Sequence, residues 1–312
     1  MTTRLYTHAA CLDHDPGRLH PERPARLEAV LAALEAPAFA GLERIEAPRA
    51  ELEQIERVHD PRYVEMVIAA VPEFGRVDFD ADTTLSVGSG EAMLRAAGAV
   101  CAAVGWAMGG EGRHAFCAVR PPGHHAEAGE ALGFCVFNNI AVGVGEAKAV
   151  HGLERVAVVD FDVHHGNGTQ HLFERDPGVF FASTHQWPLY PGTGAESETG
   201  VGNVVNVALA PLSGSAEFRL GMAERILPAL DRFRPELILI SAGFDAHWLD
   251  PLGSLNLDEE DYAWVTGELC RIADRHAGGR VVSTLEGGYD LDALGASAAA
   301  HVKALMDWER GS

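Results

Sequence analysis

Two aspartates and two histidines follow an apolar run in VVDFDVHHGNGTQ, residues 158–170. Side chains alternate along an extended chain, so Asp162 and His164 point to the same side. Taken alone, such a pair is more often a hydrogen-bonded loop feature than a metal site. Asp245, in SAGFDAH, is a candidate third ligand from a distant segment. Three protein ligands and an open position are typical of catalytic zinc or a similar divalent ion.

A second segment, RPPGHHA, places His124 and His125 side by side after a rigid turn. Histidine titrates near neutral pH, so one of them could take a proton from water and deliver it to a leaving amine, a role worth ~10²–10⁴ in rate. The phenol of Tyr289, in EGGYD, could donate to an oxygen that becomes negative when an amide is attacked. Satisfied loop histidines and a half-buried tyrosine are the alternatives. No nucleophile elbow, Walker A motif or dinucleotide motif occurs, which favours direct attack by metal-activated water.

Apolar runs of strand length precede these polar segments and alternate with alanine-rich stretches of helical spacing. Strands buried on both faces and separated by helices predict an α/β fold, a single three-layer α/β/α domain over residues 1–312 with a mostly parallel sheet. Because ligands bind outside the carboxyl ends of such strands, the polar segments should converge on one site. Residues 46–63 and 72–90 are expected to be loops around one short helix. The predicted strands are 115–119, 156–159, 179–183, 204–209, 237–243 and 281–285, and the predicted helices 25–36, 90–108, 138–150, 217–233 and 258–277.

The amino-acid composition indicates which partners and which cellular compartment are compatible with the chain. The chain has 45 acidic and 24 basic residues, a net charge of −21, which argues against nucleic acid as a direct partner. Its five cysteines are scattered without disulfide or CxxC spacing, which indicates a reducing compartment. The amino-terminal residues lack the apolar core of a signal peptide, and no stretch has the ~20 uninterrupted apolar residues of a membrane span. We therefore expect a cytoplasmic protein without a membrane partner, and homo-oligomers are compatible with the sequence.

Seven motifs, in order along almost the whole chain, give it a family resemblance. The chain resembles the histone deacetylase superfamily, which includes acetylpolyamine amidohydrolases and, more distantly, arginases. Its LEGGY and DAHxxDPLG forms are most similar to the class II and bacterial branch. The resemblance implies the arginase/deacetylase fold and zinc-dependent removal of an acyl group from an amine. The motifs are HPERPARL (20–27), RPPGHHA (120–126), GFCVFNN (133–139), VVDFDVHHGNGTQ (158–170), STHQWPLYPGTG (183–194), SAGFDAHWLDPLG (241–253) and LEGGYD (285–290).

The resemblance implies a role for each polar residue of these segments. His125 would be the general base and acid, and Tyr289 would polarise the acetyl carbonyl. Asn167 would support His125 where class I enzymes have aspartate, and a neutral partner stabilises imidazolium less, which lowers the pKa expected for His125. The remaining implied roles are zinc binding by Asp162, His164 and Asp245, and electrostatic support by His124 oriented by Asp160.

The resemblance also implies monovalent cations, usually potassium, with a structural role. The first would be held by the Asp160 carboxylate, the carbonyls of Asp162 and His164, the Ser183 hydroxyl and the Thr184 carbonyl. The second would be held by the carbonyls of Phe173, Asp176 and Val179.

Further residues are candidates for the substrate path. Phe134, with the neighbouring Gly133, and Trp187 are candidate walls of a narrow acyl-lysine channel, because flat apolar faces fit a methylene chain; core packing is the alternative for both aromatics. Asp82, in DADTT, is a candidate acceptor for the substrate backbone at the rim. Arg23 resembles an arginine behind the active site that helps acetate leave, with a salt bridge at a helix start as the alternative.

The substrate is expected to be an acetylated lysine in a peptide or protein, or an acetylated small amine. Leu252 occupies the position where polyamine-selective relatives carry glutamate, which ranks acetyl-lysine above acetylpolyamines. A binuclear arginase-like hydrolase would need further aspartates, and position 166 is glycine where a DxHxD pattern requires aspartate. A binding protein on an inactive enzyme fold is the third hypothesis, and the loss of a ligand or of Tyr289 would suggest it. None of these residues is lost.

Overall fold

An eight-stranded parallel sheet forms the centre of the computed structural model, which describes residues 2–311, with side chains up to position 308. Its strands are β1 (Arg4–Thr7), β2 (Glu43–Glu46), β5 (His114–Cys117), β6 (Val156–Asp160), β7 (Val179–Gln186), β8 (Val204–Leu209), β9 (Leu237–Ala242) and β10 (Val281–Leu285). Their order across the sheet is β2-β1-β5-β10-β9-β6-β7-β8, and every neighbouring pair is parallel. The predicted α/β fold class with a mostly parallel sheet is confirmed.

Helices cover both faces of this sheet. They are α1 (Pro24–Ala33), α2 (Leu52–Glu56), α3 (Pro61–Ala70), α4 (Ser89–Gly109), α5 (Asn139–Ala149), α6 (Asn167–Phe173), α7 (Ser215–Gly221), α8 (Leu227–Phe233), α9 (Glu259–His276) and α10 (Leu291–Gly311). A π-helical turn, Met222–Ile226, joins α7 to α8. Helix α4 packs on α5, while α10 packs on α9 and α1. Strands β5, β6, β9 and β10, between these two groups, are buried throughout, as their continuous apolar sequences predict.

Helix α4 has the length and the apolar composition of a membrane-spanning helix, and 72% of its most apolar window is buried inside the protein. Its close contact with α5 depends on Gly143, where an added Cβ would lie 2.5 Å from a methyl carbon of Val100. Helix α4 is therefore a mostly buried helix of the protein core, and such a helix can have the same length and apolar composition as a membrane span.

The prediction of loops around one short helix between residues 46 and 90 is wrong. Helix α2 is stabilised by reciprocal bonds between Glu51 and Gln54, and α3 begins with Pro61 after the capping side chain of Asp60. Beyond α3, two short antiparallel strands, β3 (Arg76–Asp78) and β4 (Thr84–Ser86), form a hairpin.

A fully buried carboxylate, Glu22, connects α1 to the end of β5. It bridges the guanidinium groups of Arg26 and Arg120, which are also fully buried, with 3.0 Å from Arg26 Nη1 to Glu22 Oε1 and 2.7 Å from Arg120 Nη2 to Oε2. Burial alone would raise the pKa of Glu22, but Arg120 and His14 hold it well below its ordinary value. The ionised form is therefore retained at neutral pH, and its contribution to stability is lost only as the pH falls through the folded-state pKa.

We expect Glu22→Gln to lower the free energy of unfolding by ~3–5 kcal/mol, because it leaves two buried guanidinium groups without their counter-charge. Urea denaturation measures this change. Glu28→Gln, on the exposed face of α1, is the matched control and should change stability by no more than ~0.5 kcal/mol. Equal unfolding midpoints for the two variants would contradict the role given to Glu22.

Candidate active site

A pocket of about 230 Å³ opens at the carboxyl ends of the central strands. The loops after β5, β6, β7 and β10 contribute to its wall, and these strands lie close together in the sheet. The polar segments therefore converge as the parallel topology predicts. The pocket is lined by Asp82, Pro122, His124, His125, Gly133, Phe134, His164, Leu189, Tyr190, Leu252, Gly287 and Tyr289.

Asp162, His164 and Asp245 lie together, and His164 connects them to the wall of this pocket. His164 Nδ1 lies 3.1 Å from Asp162 Oδ1 and 3.1 Å from Asp245 Oδ2, and the three potential ligand atoms lie within 4.8 Å of one another. The other carboxylate oxygens accept backbone N–H groups, Asp162 Oδ2 from Gly287 at 2.8 Å and Asp245 Oδ1 from Val163 at 2.8 Å. Backbone N–H groups thus orient both carboxylates, and one oxygen of each faces the histidine ring; the oxygen of Asp162 that does so also accepts the His164 N–H, at 2.9 Å.

This cluster fits a divalent metal. Asp162 and Asp245 are almost completely buried, and Gly287 is required beside them because a Cβ there would lie 2.1 Å from Asp245 Oδ2. Burial would lower the pKa of His164, yet the two carboxylates raise it to about 10, so this corner strongly favours positive charge. Two oxygens and one imidazole nitrogen are a donor set that catalytic zinc accepts.

His124 is held as a cation. Its Nδ1 lies 2.9 Å from Asp160 Oδ2, and its Nε2 lies 3.8 Å from Asp162 Oδ2. Burial would lower the pKa of His124, but the charges of Asp160 and Asp162 raise it well above its ordinary value. A buried imidazolium therefore stands beside the three-residue cluster at neutral pH.

His125, its neighbour, is neutral. Burial, then the charges of His124 and His164, hold the pKa of His125 well below its ordinary value. Its Nδ1 lies 2.7 Å from Asn167 Oδ1, a bond that favours the charged form only weakly. Desolvation and the adjacent histidines therefore control this pKa more than the identity of residue 167 does. A neutral imidazole can accept a proton.

Tyr289 is held between two side chains and faces the pocket. The Arg26 guanidinium lies 4.7 Å from the centre of its ring, and the Phe134 ring packs edge-on against it at 5.9 Å. The Tyr289 N–H donates to Asp250 Oδ2 at 2.7 Å, which fixes the backbone of the loop. Burial raises the pKa of Tyr289 well above its ordinary value, so the phenol keeps its proton and can donate it in a hydrogen bond.

Of the predicted channel residues, Phe134, Gly133, Leu252 and Asp82 line the pocket. Gly133 has φ +55°, and a Cβ there would lie 2.4 Å from His125 Cδ2, so this position requires glycine.

Trp187 does not line the pocket, which corrects its prediction as a channel wall. Its backbone N–H donates to the Leu209 carbonyl oxygen at 2.7 Å, next to the edge strand β8. Tyr190, three residues later, takes that place, with its ring centre 5.1 Å from that of His125. The signal that could have identified Tyr190 is its position immediately before the turn sequence PGTG, since turn residues bring their neighbours to a loop tip.

The arginine behind the active site is Arg26 and not Arg23, which corrects the prediction for Arg23. Arg23 is exposed and precedes the first residue of α1, whereas Arg26 is fully buried behind Tyr289. Arg26 also donates to the carbonyl oxygens of Glu286 and Gly288. Helical spacing could have identified it, because Arg26 shares a face with Leu27 and Val30, which are both buried.

The residues predicted for the first monovalent cation lie at adjacent strand ends. Asp160 pairs with Ser183 in the register of β6 and β7, and both are fully buried. Thr184, the next residue, is buried as well. One carboxylate, from Asp160, and one hydroxyl, from Ser183, at adjacent buried strand ends are compatible with a small cation.

The carbonyls predicted for the second cation do not fit one. The oxygens of Phe173, Asp176 and Val179 do converge, but Asn203 Nδ2 lies among them at 2.9, 3.0 and 2.7 Å. The amide orientation is fixed by the Val201 N–H, which donates to Asn203 Oδ1 at 3.1 Å. The side-chain amide of Asn203 therefore already donates to the three carbonyl oxygens that would bind the second cation.

Comparisons with known proteins agree with this geometry. A family model described as "Histone deacetylase domain" matches residues 20–305. The histone deacetylase-like amidohydrolase of Pseudomonas aeruginosa is 41% identical over 274 residues, 86% of this chain and 71% of that protein. The human polyamine deacetylase HDAC10 is 38% identical over 304 residues, 91% of this chain and 44% of that protein. The crystal structure of the HDA15 HD domain superposes with a TM-score of 0.93 at 34% identity, covering 98% of this chain and 88% of that one.

The match extends over most of the chain and includes every segment that lines the pocket. The chain therefore belongs to the histone deacetylase family of hydrolases.

Proposed function

We propose that this protein is a zinc-dependent amidohydrolase that removes acetyl or other acyl groups from ε-acetyl-lysine or a related acylated amine. One observation carries the proposal. Two carboxylates and a histidine lie together, and this histidine lines the same pocket as a neutral histidine and a neutral phenol. Amide hydrolysis needs this combination, namely a Lewis acid, a proton acceptor and a donor to the carbonyl oxygen.

Each side chain has a part in the proposed reaction. Asp162, His164 and Asp245 would hold the zinc ion, which supplies a Lewis acid for the carbonyl and lowers the pKa of water. His125 takes a proton from the attacking water and later delivers it to the leaving amine. The Tyr289 hydroxyl donates to the carbonyl oxygen as negative charge develops there. The His124 cation, held by Asp160, and Asn167 behind His125 would support these groups.

The pocket supports a slim, linear acyl group. Its volume of about 230 Å³ is below the ~300–1,000 Å³ common for drug-sized ligands. Phe134, Tyr190 and Leu252 provide apolar surface for a methylene chain, and the Asp82 side chain provides a polar acceptor near them. Arg26, behind Tyr289, offers a positive charge that would attract an acetate product.

A structural ion and the cellular compartment are also part of the proposed function. We propose one structural monovalent cation, such as potassium, near Asp160 and Ser183, and a single catalytic domain over residues 1–312. The net charge of −21 supports cationic amine substrates and disfavours nucleic acid. The scattered cysteines, which are all buried and form no disulfides with one another, support a cytoplasmic setting.

An acyl-amine panel with and without a chelator tests the proposed function. Hydrolysis should require bound zinc, and Asp245→Asn should lose both zinc and activity, with turnover reduced at least ~100-fold. Elemental analysis and turnover of an acetyl-lysine peptide are the measurements. Asp292→Asn, an exposed position at the start of α10, is the matched control and should retain both. Unchanged hydrolysis after complete removal of the metal would refute the mechanism.

A second candidate function is acetylpolyamine hydrolysis. Two observations favour it, namely the similarity of this chain to the human polyamine deacetylase and its negative charge. Leu252 on the pocket wall argues for the peptide, because an apolar side chain offers no counter-charge to a polyamine nitrogen.

We expect the wild-type protein to prefer an acetyl-lysine peptide to acetylspermidine in kcat/KM. Leu252→Glu should shift the ratio of these values towards acetylspermidine by about 10-fold or more, because a carboxylate at this position can bind a substrate ammonium. Leu252→Gln has a similar size without the charge and should shift the ratio much less. Exclusive polyamine activity of the wild-type protein would reverse the ranking.

The acidic limb of the pH profile reports the protonation of His125. Asn167→Asp places a carboxylate beside Nδ1, which favours imidazolium and raises the pKa of His125. Since the neutral ring is the active base, activity is lost below this pKa, and the acidic limb of kcat/KM should move to higher pH by about one unit or more. Asn256→Asp, at an exposed position, controls for added charge. An unchanged profile would contradict the role of Asn167.

A further inference from the structure

The hydrogen bonds behind His125 continue beyond Asn167. Asn167 Nδ2 lies 3.0 Å from Glu127 Oε1 and 3.3 Å from the carbonyl oxygen of His125. The other carboxylate oxygen of Glu127 lies 2.6 Å from His171 Nδ1. The Glu127 side chain is 24% exposed and that of His171 is 65% exposed. A continuous set of hydrogen bonds therefore connects the proposed base to the surface.

The local fold holds Glu127 at this position. Helix α6 begins at Asn167, and His171 follows four residues later on the same face, so one carboxylate can reach both. At Gly168 an added Cβ would lie 2.2 Å from Ala126 O, which shows that the helix packs directly on the loop that carries His125. The Thr169 N–H also donates to His124 O at 3.2 Å. These contacts fix the position of α6 relative to the loop that carries His124 and His125.

We propose that Glu127 is a positioning residue that sets the orientation of the Asn167 amide and, through it, the tautomer of His125. This inference rests on the proposed function, in which His125 is the general base. A carboxylate only accepts hydrogen bonds, so the group of Asn167 that faces Glu127 must be the NH₂. The amide oxygen then faces His125 Nδ1, which must be the donor.

The consequence is a defined position for the lone pair of His125. With its proton on Nδ1, the neutral ring presents an unprotonated Nε2 on the side away from Asn167, where a base is needed. A flipped amide would present NH₂ to Nδ1 and would place the ring proton on Nε2. That tautomer cannot accept a proton from water at Nε2. Glu127 therefore acts on the reaction through Asn167, without contact with the substrate.

The competing explanation is that Glu127 only ties the loop to α6. Two substitutions distinguish the explanations. Glu127→Gln keeps an oxygen that can accept from Asn167, whereas Glu127→Lys replaces the acceptor by a donor and favours the flipped amide. Glu130→Lys is the matched control, because Glu130 is exposed, pairs with Glu127 in the loop through the backbone and receives the same charge change.

We expect Glu127→Lys to lower kcat by ~10–100-fold with little change in KM, since the base is lost in part and the substrate pocket is not touched. Glu127→Gln should stay within about 3-fold of the wild-type kcat, and Glu130→Lys should as well. Combining Glu127→Lys with Asn167→Asp should restore most of the kcat. The introduced carboxylate accepts from both the new ammonium and His125 Nδ1, which rebuilds the orientation with the charges reversed.

Nitrogen-15 NMR of the histidine rings in the zinc-loaded protein supplies a readout that does not need turnover. The wild-type protein and Glu127→Gln should carry the neutral His125 proton on Nδ1, and Glu127→Lys should shift it to Nε2. A tautomer and kcat unchanged by Glu127→Lys would overturn the proposal. So would a loss of activity with the Nδ1 tautomer retained, which would assign a structural role. A wild-type protein with the Nδ1 tautomer but without amide hydrolysis would refute the proposed function and leave this inference intact.

Discussion

Negative charge buried at the carboxyl ends of β6, β9 and β10 is the constraint on which the rest of the structure depends. Asp160, Asp162, Asp245 and Glu286 are at most 1% exposed and lie around one end of the sheet. An ion buried without a partner costs several kcal/mol, so each carboxylate needs donors or counter-charges in the protein itself. The loops that follow these strands supply such donors and counter-charges.

Backbone groups provide part of this compensation. Gly287 donates to Asp162 from a position where a Cβ would collide with the carboxylates, and Gly123 donates to Glu286 at 2.7 Å. Burial raises the pKa of Glu286 to about 7 despite this donor and the nearby charge of His124. The backbone alone is therefore insufficient, and cationic groups complete the balance. His124 serves this purpose for Asp160, and a metal bound by the three-residue cluster would serve it for the other aspartates.

The amino-acid sequence predicts the parts of this arrangement that depend on periodicity and chain topology. Continuous apolar runs are typical of strands buried on both faces, and residues that follow such strands meet at one edge of the sheet. The sequence does not predict which of several neighbouring residues lies at the site. Arg26, and not Arg23, is buried behind Tyr289, and Tyr190, and not Trp187, lines the pocket. Strands β1 and β2 are four residues each, and α10 is rich in alanine, so their patterns are weak. The donor Asn203 is separated by 24 residues from Val179, whose carbonyl it serves, and only the fold brings the two together.

The tandem histidines show how partner groups, rather than residue type, assign chemical roles. His124 and His125 are adjacent, both are buried, and their ring centres are 4.0 Å apart. His124 faces Asp160 and is charged, whereas His125 faces the neutral amide of Asn167 and is not. The charge on His124 is itself one of the causes that lower the pKa of His125, so ionising the first ring keeps the second available as a base. Environments that drive two titratable groups in opposite directions are the usual origin of paired acid and base functions. Here two buried, adjacent imidazoles differ in the charges around them: His124 faces the carboxylates of Asp160 and Asp162, whereas His125 has a neutral amide and two other histidines as neighbours.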